Sequence, residues 1–167
     1  QQIGDPKLDS TTIAPLSLKA AQTGLQAQAD AAVANGAKVL VDGGAVTDQP
    51  GNFFKPMLLT GMTPANPTYD DEFFGPVGQI HVVKSTKAAI KLANSSQYGL
   101  AGAVYAGTTA EAQAVAEQLE TGQIFLNQPS NGYPQLPFGG VKNSGYGREM
   151  SDLALYEFAN QKMIALG

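Results

Sequence analysis

The 167-residue chain contains no cysteine, no tryptophan and a single histidine, His81. Without cysteine there is no disulfide, no thiolate metal ligand and no thiol nucleophile, and one histidine cannot build a multi-histidine zinc site. Charge is scarce as well: Asp, Glu, Lys and Arg make up 14% of the residues, against roughly a quarter in ordinary soluble domains. A surface so poor in charge is expected to be covered by other protein. The net charge of -4 comes with no basic run, so the electrostatic footprint of a nucleic-acid binder is missing and attachment to an anionic membrane has no support. Long apolar runs are lacking too. Stretches such as Val39-Leu40-Val41 and Met57-Leu58-Leu59 fall far short of the roughly 20 residues that span a bilayer. The N-terminal Gln1-Gln2-Ile3-Gly4-Asp5-Pro6 has neither a charged nor an apolar leader region, so no secretory signal is expected and the cytoplasm is the default compartment.

What the chain does have is periodic structure of a size suited to one domain. Leu18, Ala21, Leu25, Ala29, Ala32 and Val33 recur at near-helical spacing before Gly36, which predicts an amphipathic helix with a glycine stop. Lys38 to Val41 and Phe53 to Leu59 are β-rich runs separated by turn residues. Residues 77–83 predict a strand, Ser85 a helix cap, and Leu100 to Tyr105 a small-residue strand. Thr108 and Glu111 have capping-box spacing, and Ala112, Val115, Ala116 and Leu119 follow at i, i+3, i+4 and i+7, predicting a helix that ends at Gly122. Ile124-Phe125-Leu126 reads as a buried strand. Alternation of strand and helix from 77 to 126 predicts an α/β fold with a mainly parallel sheet flanked by helices. Leu153 to Phe158 predicts a short helix, and Lys162 to Leu166 a final strand free to pair with a neighbouring chain.

Three places bear on chemistry. Glu72 lies in Asp71-Glu72-Phe73-Phe74-Gly75-Pro76. An ionised carboxylate there accepts hydrogen bonds from both hydroxyls of a ribose, and Phe74 offers a flat face to a planar ring; an acidic turn with its phenylalanines in the core is the plainer alternative. The glycine-rich run from Leu136 to Glu149 implies a tight backbone crossing. It has neither the lysine-serine/threonine ending nor the strand-helix setting of a phosphate-cradling loop. The irregular stretch from Asn127 to Gly147 is longer than connections in compact domains usually are, which points to function. His81 has no acid or serine at motif spacing and reads as structural, and Lys142 and Arg148 read as charges supporting turns.

The two motifs, together with Gly122-Gln123-Ile124-Phe125-Leu126-Asn127 and the Gly4-Asp5-Pro6 and Gly36-Ala37-Lys38 segments, resemble the C-terminal half of NAD(P)-dependent aldehyde dehydrogenases over nearly the whole chain. The resemblance implies that residues 1–150 are the later part of the catalytic domain and residues 151–167 a helix and oligomerisation strand. It implies that Glu72 holds the nicotinamide ribose of NAD or NADP and that Phe74 contacts the ring; Phe73 stands where the family usually has an aliphatic residue. Ser130 falls at a substrate-lining position and Phe138 at an aromatic wall. A serine there is common in members that oxidise succinic semialdehyde, where it helps hold the distal carboxylate.

The family's reaction uses a cysteine thiolate, a hydride transfer to NAD(P)+ and a glutamate-activated water. This chain supplies no catalytic residue and no metal site for it. The expectation is therefore a portion of an oxidoreductase, inactive alone, that needs the remainder of a dehydrogenase chain, takes an aldehyde substrate and assembles as a homo-oligomer. The alternative is a non-catalytic assembly module of the same descent.

Overall fold

The apolar spacing near the N-terminus becomes helix α1, Lys19–Ala34, in a computed structural model that describes residues 1–167 as two compact units, 1–82 and 83–167. Leu25, Ala29 and Ala32 lie one turn apart and are buried, because side chains at i, i+4 and i+7 share a helix face. They pack against Phe54, Met57, Leu59, Met62 and Val77, the core of the first unit. Gly36 takes φ +100° as the helix stops, and the Ala37 amide donates to Ala32 O at 3.0 Å, the geometry for which glycine is favoured after a helix.

Asn66, 3% exposed, completes that helix end. Its Nδ2 donates to Ala32 O and Asn35 O at 2.8 and 3.2 Å, while its Oδ1 accepts from the Thr68 amide and hydroxyl at 3.0 and 2.8 Å. Buried polar groups left without partners cost more than the bond itself was worth. Asn66→Ala is therefore expected to destabilise the chain by about 2–4 kcal/mol, read as a lowered midpoint in denaturant unfolding. A change within experimental error would mean that water replaces the side chain.

Strand β1, Lys38–Val41, pairs antiparallel with β4, Met57–Thr60, with an irregularity between Val39 and Val41. Between them β2, Gly44–Ala45, and β3, Phe54–Lys55, form a small antiparallel ladder. The run expected as one strand over 53–59 is broken at Pro56, which has no N–H to give to a ladder. The buried Gln22 braces the hairpin, its Nε2 donating to Phe53 O at 2.6 Å and Val46 O at 3.2 Å. Met57 and Leu59 alternate inward on β4. Strand β5, Val77–Ile80, runs parallel to β4 from Met57↔Val77 to Thr60↔Ile80. It is shorter than the 77–83 expected because β4 ends at Thr60 and leaves nothing to pair with.

In the second unit, α2, Thr86–Ser95, starts where Ser85 Oγ accepts from the Ala88 amide at 3.2 Å. Strand β6, Tyr98–Gly99, is followed by β7, Ala101–Val104, which lies parallel to β8, Gln123–Leu126, through the crossover helix α3, Thr109–Ala116. The capping box on α3 forms as the spacing predicts, with Thr108 and Glu111 each bonding the other's backbone amide. The helix ends at Ala116 rather than Gly122, because the Gln118 and Leu119 amides turn to carbonyls three residues back. Strand β9, Val141–Lys142, pairs antiparallel with β6, and α4 spans Ala154–Glu157.

The α/β class holds, and the longest ladders, β4–β5 and β7–β8, are the parallel ones. The final strand expected over 162–166 has no partner within the chain and so forms no ladder; Met163, Ile164 and Leu166 are 83%, 75% and 94% exposed. No helix is long and apolar enough to cross a membrane.

Candidate functional site

The first candidate place is the turn between Thr68 and β5. The Asp71 amide donates to Thr68 O, and the Glu72 carbonyl accepts from Gln28 Nε2 at 3.4 Å, which ties the turn to α1. The chain then bends twice in succession: the Gly75 amide donates to Phe73 O and the Val77 amide to Gly75 O, both at 2.8 Å. These are two consecutive three-residue turns. The absence of a side chain at Gly75 makes room for Leu25 here, since a Cβ would come so close to Leu25 Cδ2 that this buried side chain would have to shift.

The bend sorts the two adjacent phenylalanines. Phe73 packs on the core beside Leu16 and Tyr69, whereas Phe74 is 80% exposed. The Glu72 side chain is also exposed, and its carboxylate has no partner within the chain. An acceptor-only carboxylate and a free aromatic face thus stand two residues apart on one braced turn, an arrangement that fits a ribose with an attached planar ring. The plainer expectation, both phenylalanines in the core, holds for Phe73 alone.

The second place lies at the end of β8. Asn127 adopts φ +54° and its Oδ1 accepts from the Ala106 amide at 2.8 Å, which sets the direction in which the chain leaves the strand. The loop that follows places Ser130 on a cavity of about 240 Å³ together with Gln123, Phe125, Asn131 and Phe138. An adjoining cavity of about 210 Å³ shares four of these residues and adds Tyr133 and Leu136. Phe138 is held by a reciprocal bridge, its amide donating to Glu149 O at 2.8 Å and its carbonyl accepting from the Glu149 amide at 2.7 Å. The wall also contains Gln123 Nε2, a buried donor with no acceptor. Aromatic sides with a hydroxyl and amides at the rim suit a short apolar stem ending in a hydrogen-bond acceptor.

The glycine-rich run behaves as the crossing its composition implies. Gly122 meets the backbone of Gly139 so closely that a Cβ would overlap Gly139 O. Lys142 donates to Asn94 O and Ser96 O at 2.8 and 3.1 Å and pairs with Glu120 at 3.0 Å. Arg148 donates to Gly140 O and Gly147 O at 2.9 and 2.7 Å. Both cations therefore serve backbone carbonyls at turns. His81 is exposed, with Nε2 3.1 Å from Gln79 Oε1 and its ring edge-on to Tyr69 at 5.6 Å. No group of three potential metal-ligating side chains comes together.

Glu72 and Phe74 thus share one turn of the first unit, and Ser130 and Phe138 share one cavity of the second. Sequence reasoning passed over Tyr133, Asn131 and Gln123. The signal available for Tyr133 was a lone aromatic inside a Pro- and Gly-rich loop, which has no reason to be there unless something packs on it. The arrangement can bind and orient, but it contains no nucleophile that forms a bond.

The sequence pattern of the aldehyde dehydrogenase family matches residues 1–164. Among curated relatives, succinate-semialdehyde dehydrogenase [NADP(+)] of Deinococcus radiodurans is 46% identical over 96% of this chain and 34% of its own length. The probable succinate-semialdehyde dehydrogenase [NADP(+)] of Synechocystis is 38% identical over 98% of this chain and 36% of its own. A crystal structure of succinic semialdehyde dehydrogenase from Streptococcus pyogenes with NADP+ superposes with a TM-score of 0.92 at 43% identity, covering 99% of this chain and 36% of that one. Betaine aldehyde dehydrogenase from Staphylococcus aureus with NAD+ superposes with a TM-score of 0.87 at 34% identity, covering 94% and 32%. The chain spans about a third of the length of these relatives.

Proposed function

This chain belongs to the aldehyde dehydrogenase family, and on that premise we propose that it is a portion of an NADP+-dependent enzyme that oxidises succinic semialdehyde to succinate. The observation that carries the reading is the turn over 71–76, which packs Phe73 against the core and leaves Glu72 and Phe74 facing outward without partners. Glu72 holds the hydroxyls of the nicotinamide ribose through its two carboxylate oxygens, and Phe74 lies against the ring. A nicotinamide dinucleotide bound there supplies the hydride acceptor. The solved relatives named above are described with NADP+ or NAD+; the preference for NADP+ follows the Deinococcus and Synechocystis relatives.

Ser130 and Phe138 form the distal part of the aldehyde pocket, the hydroxyl donating to the carboxylate and the ring packing on the methylene stem. Residues 1–150 belong to the later part of the catalytic domain. Residues 151–167 present Met163, Ile164 and Leu166 to a second copy, since exposed apolar residues in a strand-like sequence without a ladder partner favour edge-to-edge pairing. The nucleophile, its base and the contacts to the adenosine half of the dinucleotide come from protein outside these 167 residues.

The test is an enzyme in which this chain is joined to the complementary part of the Deinococcus relative. It is expected to reduce NADP+ with succinic semialdehyde. Glu72→Gln and Phe74→Ala are each expected to lower kcat/KM by about 10- to 100-fold, the scale of one hydrogen bond to a charged group for the first and of a lost aromatic packing surface for the second. A joined enzyme that folds but turns over no aldehyde overturns the proposal.

A further inference from the structure

The loop that carries Ser130 has little backbone support of its own. From Gln128 to Gly132 no backbone group bonds to another backbone group; the one local tie is the Gly132 amide on Asn131 Oδ1 at 2.9 Å. A hydroxyl at the tip of such a loop is ordinarily free to wander, which makes it a poor recognition element.

Tyr133 supplies the missing support. Its ring lies 6.3 Å from that of Phe125, tilted by 33°, and Phe125 is 8% exposed on β8. Its hydroxyl donates to Gln128 Oε1 at 3.2 Å, at the start of the loop, and its carbonyl accepts from the Leu136 amide at 2.9 Å, opening the turn that returns the chain to Phe138. One side chain thus anchors the loop to the strand and closes it on itself, with Ser130 between the two ends. Phe125 beneath it and Phe138 beyond it both line the cavity on which Ser130 sits.

Building on the aldehyde-pocket reading above, we propose that Tyr133 is a positioning residue: it holds Ser130 at the rim of the cavity and so sets the preference for aldehydes that end in a carboxylate. It acts through Ser130 rather than on the substrate. A positioned donor binds better than a mobile one because the cost of ordering it has been met in advance.

The measurement is the ratio of kcat/KM for succinic semialdehyde to that for butanal, in the enzyme made by joining this chain to the complementary part of the Deinococcus relative. Tyr133→Ala is expected to lower the ratio about tenfold, and Tyr133→Phe, which keeps the ring on Phe125, to recover most of it. In a Ser130→Ala background the same Tyr133→Ala change should lower the ratio no further, because both substitutions remove one interaction. Equal losses for the two aldehydes, or additive effects of the two substitutions, overturn the positioning role while leaving the dehydrogenase reading intact. A folded joined enzyme that oxidises neither aldehyde overturns both.

Discussion

Purified as it stands, the 167-residue chain is expected to produce no reduced nicotinamide from succinic semialdehyde with either NAD+ or NADP+. The reason is chemical rather than conformational. The family's reaction begins with attack by a thiolate, and this chain has no cysteine. Serine and threonine hydroxyls are weak nucleophiles without an adjacent base, and the one histidine hydrogen-bonds Gln79 and packs edge-on to Tyr69, with no serine or threonine hydroxyl as partner. Where a nucleophile has been removed from a complete active site, the rate falls by about 10⁶; on the function proposed above, the general base lies outside the chain as well. Joining the chain to a cysteine-bearing complementary segment should restore turnover. Aldehyde-dependent reduction by the isolated chain, at a rate proportional to its concentration and retained through repeated purification, would overturn the account.

Gly122→Ala is expected to cost the second unit more than about 4 kcal/mol, enough to unfold a domain of ordinary stability. The obstacle is backbone: a Cβ at residue 122 would overlap Gly139 O and come within 2.9 Å of Gly140 Cα. No rotamer change relieves that contact. Gly122 also sits between two partners, its amide donating to Gly99 O at 3.0 Å while Gly139 presses from the other side. Yielding therefore means displacing Phe138, the aromatic wall of the proposed aldehyde pocket, or parting β6 from β9. Hydrogen exchange should show lost protection at β6, β8 and β9. Gly24→Ala provides the contrast, since Gly24 lies within α1 with nothing inside 4 Å of the added carbon. That change should stabilise by about 0.5–1 kcal/mol. Equal melting behaviour of the two variants would contradict the close crossing.

Much of the fold was legible in local chemistry. Helix α1 follows from apolar spacing and Gly36; α3 follows from Thr108 and Glu111, which find each other three residues apart whatever surrounds them. Pattern resemblance named the family and offered Glu72, Phe74, Ser130 and Phe138 as candidates. The absence of cysteine alone ruled out an independent thiol catalyst.

Other features depend on what the folded chain brings alongside. Asn66 reads in the sequence as one more turn residue, yet it is buried because α1 ends where its amide reaches Ala32 O and Asn35 O, more than 30 residues away. Phe73 and Phe74 are identical in sequence terms; the double bend at Gly75, forced against Leu25, decides which enters the core and which remains free to meet a ring. Tyr133 acquires a role only when β8 sets Phe125 beneath it. The segment over 162–166 has the composition of a strand and is not one here, since a strand is a relation between two backbones. Periodicity and caps are written within a few residues and survive any context. Burial, ladder partners and the division of labour between neighbouring side chains are set by distant segments, and a linear pattern carries no record of which of them will arrive.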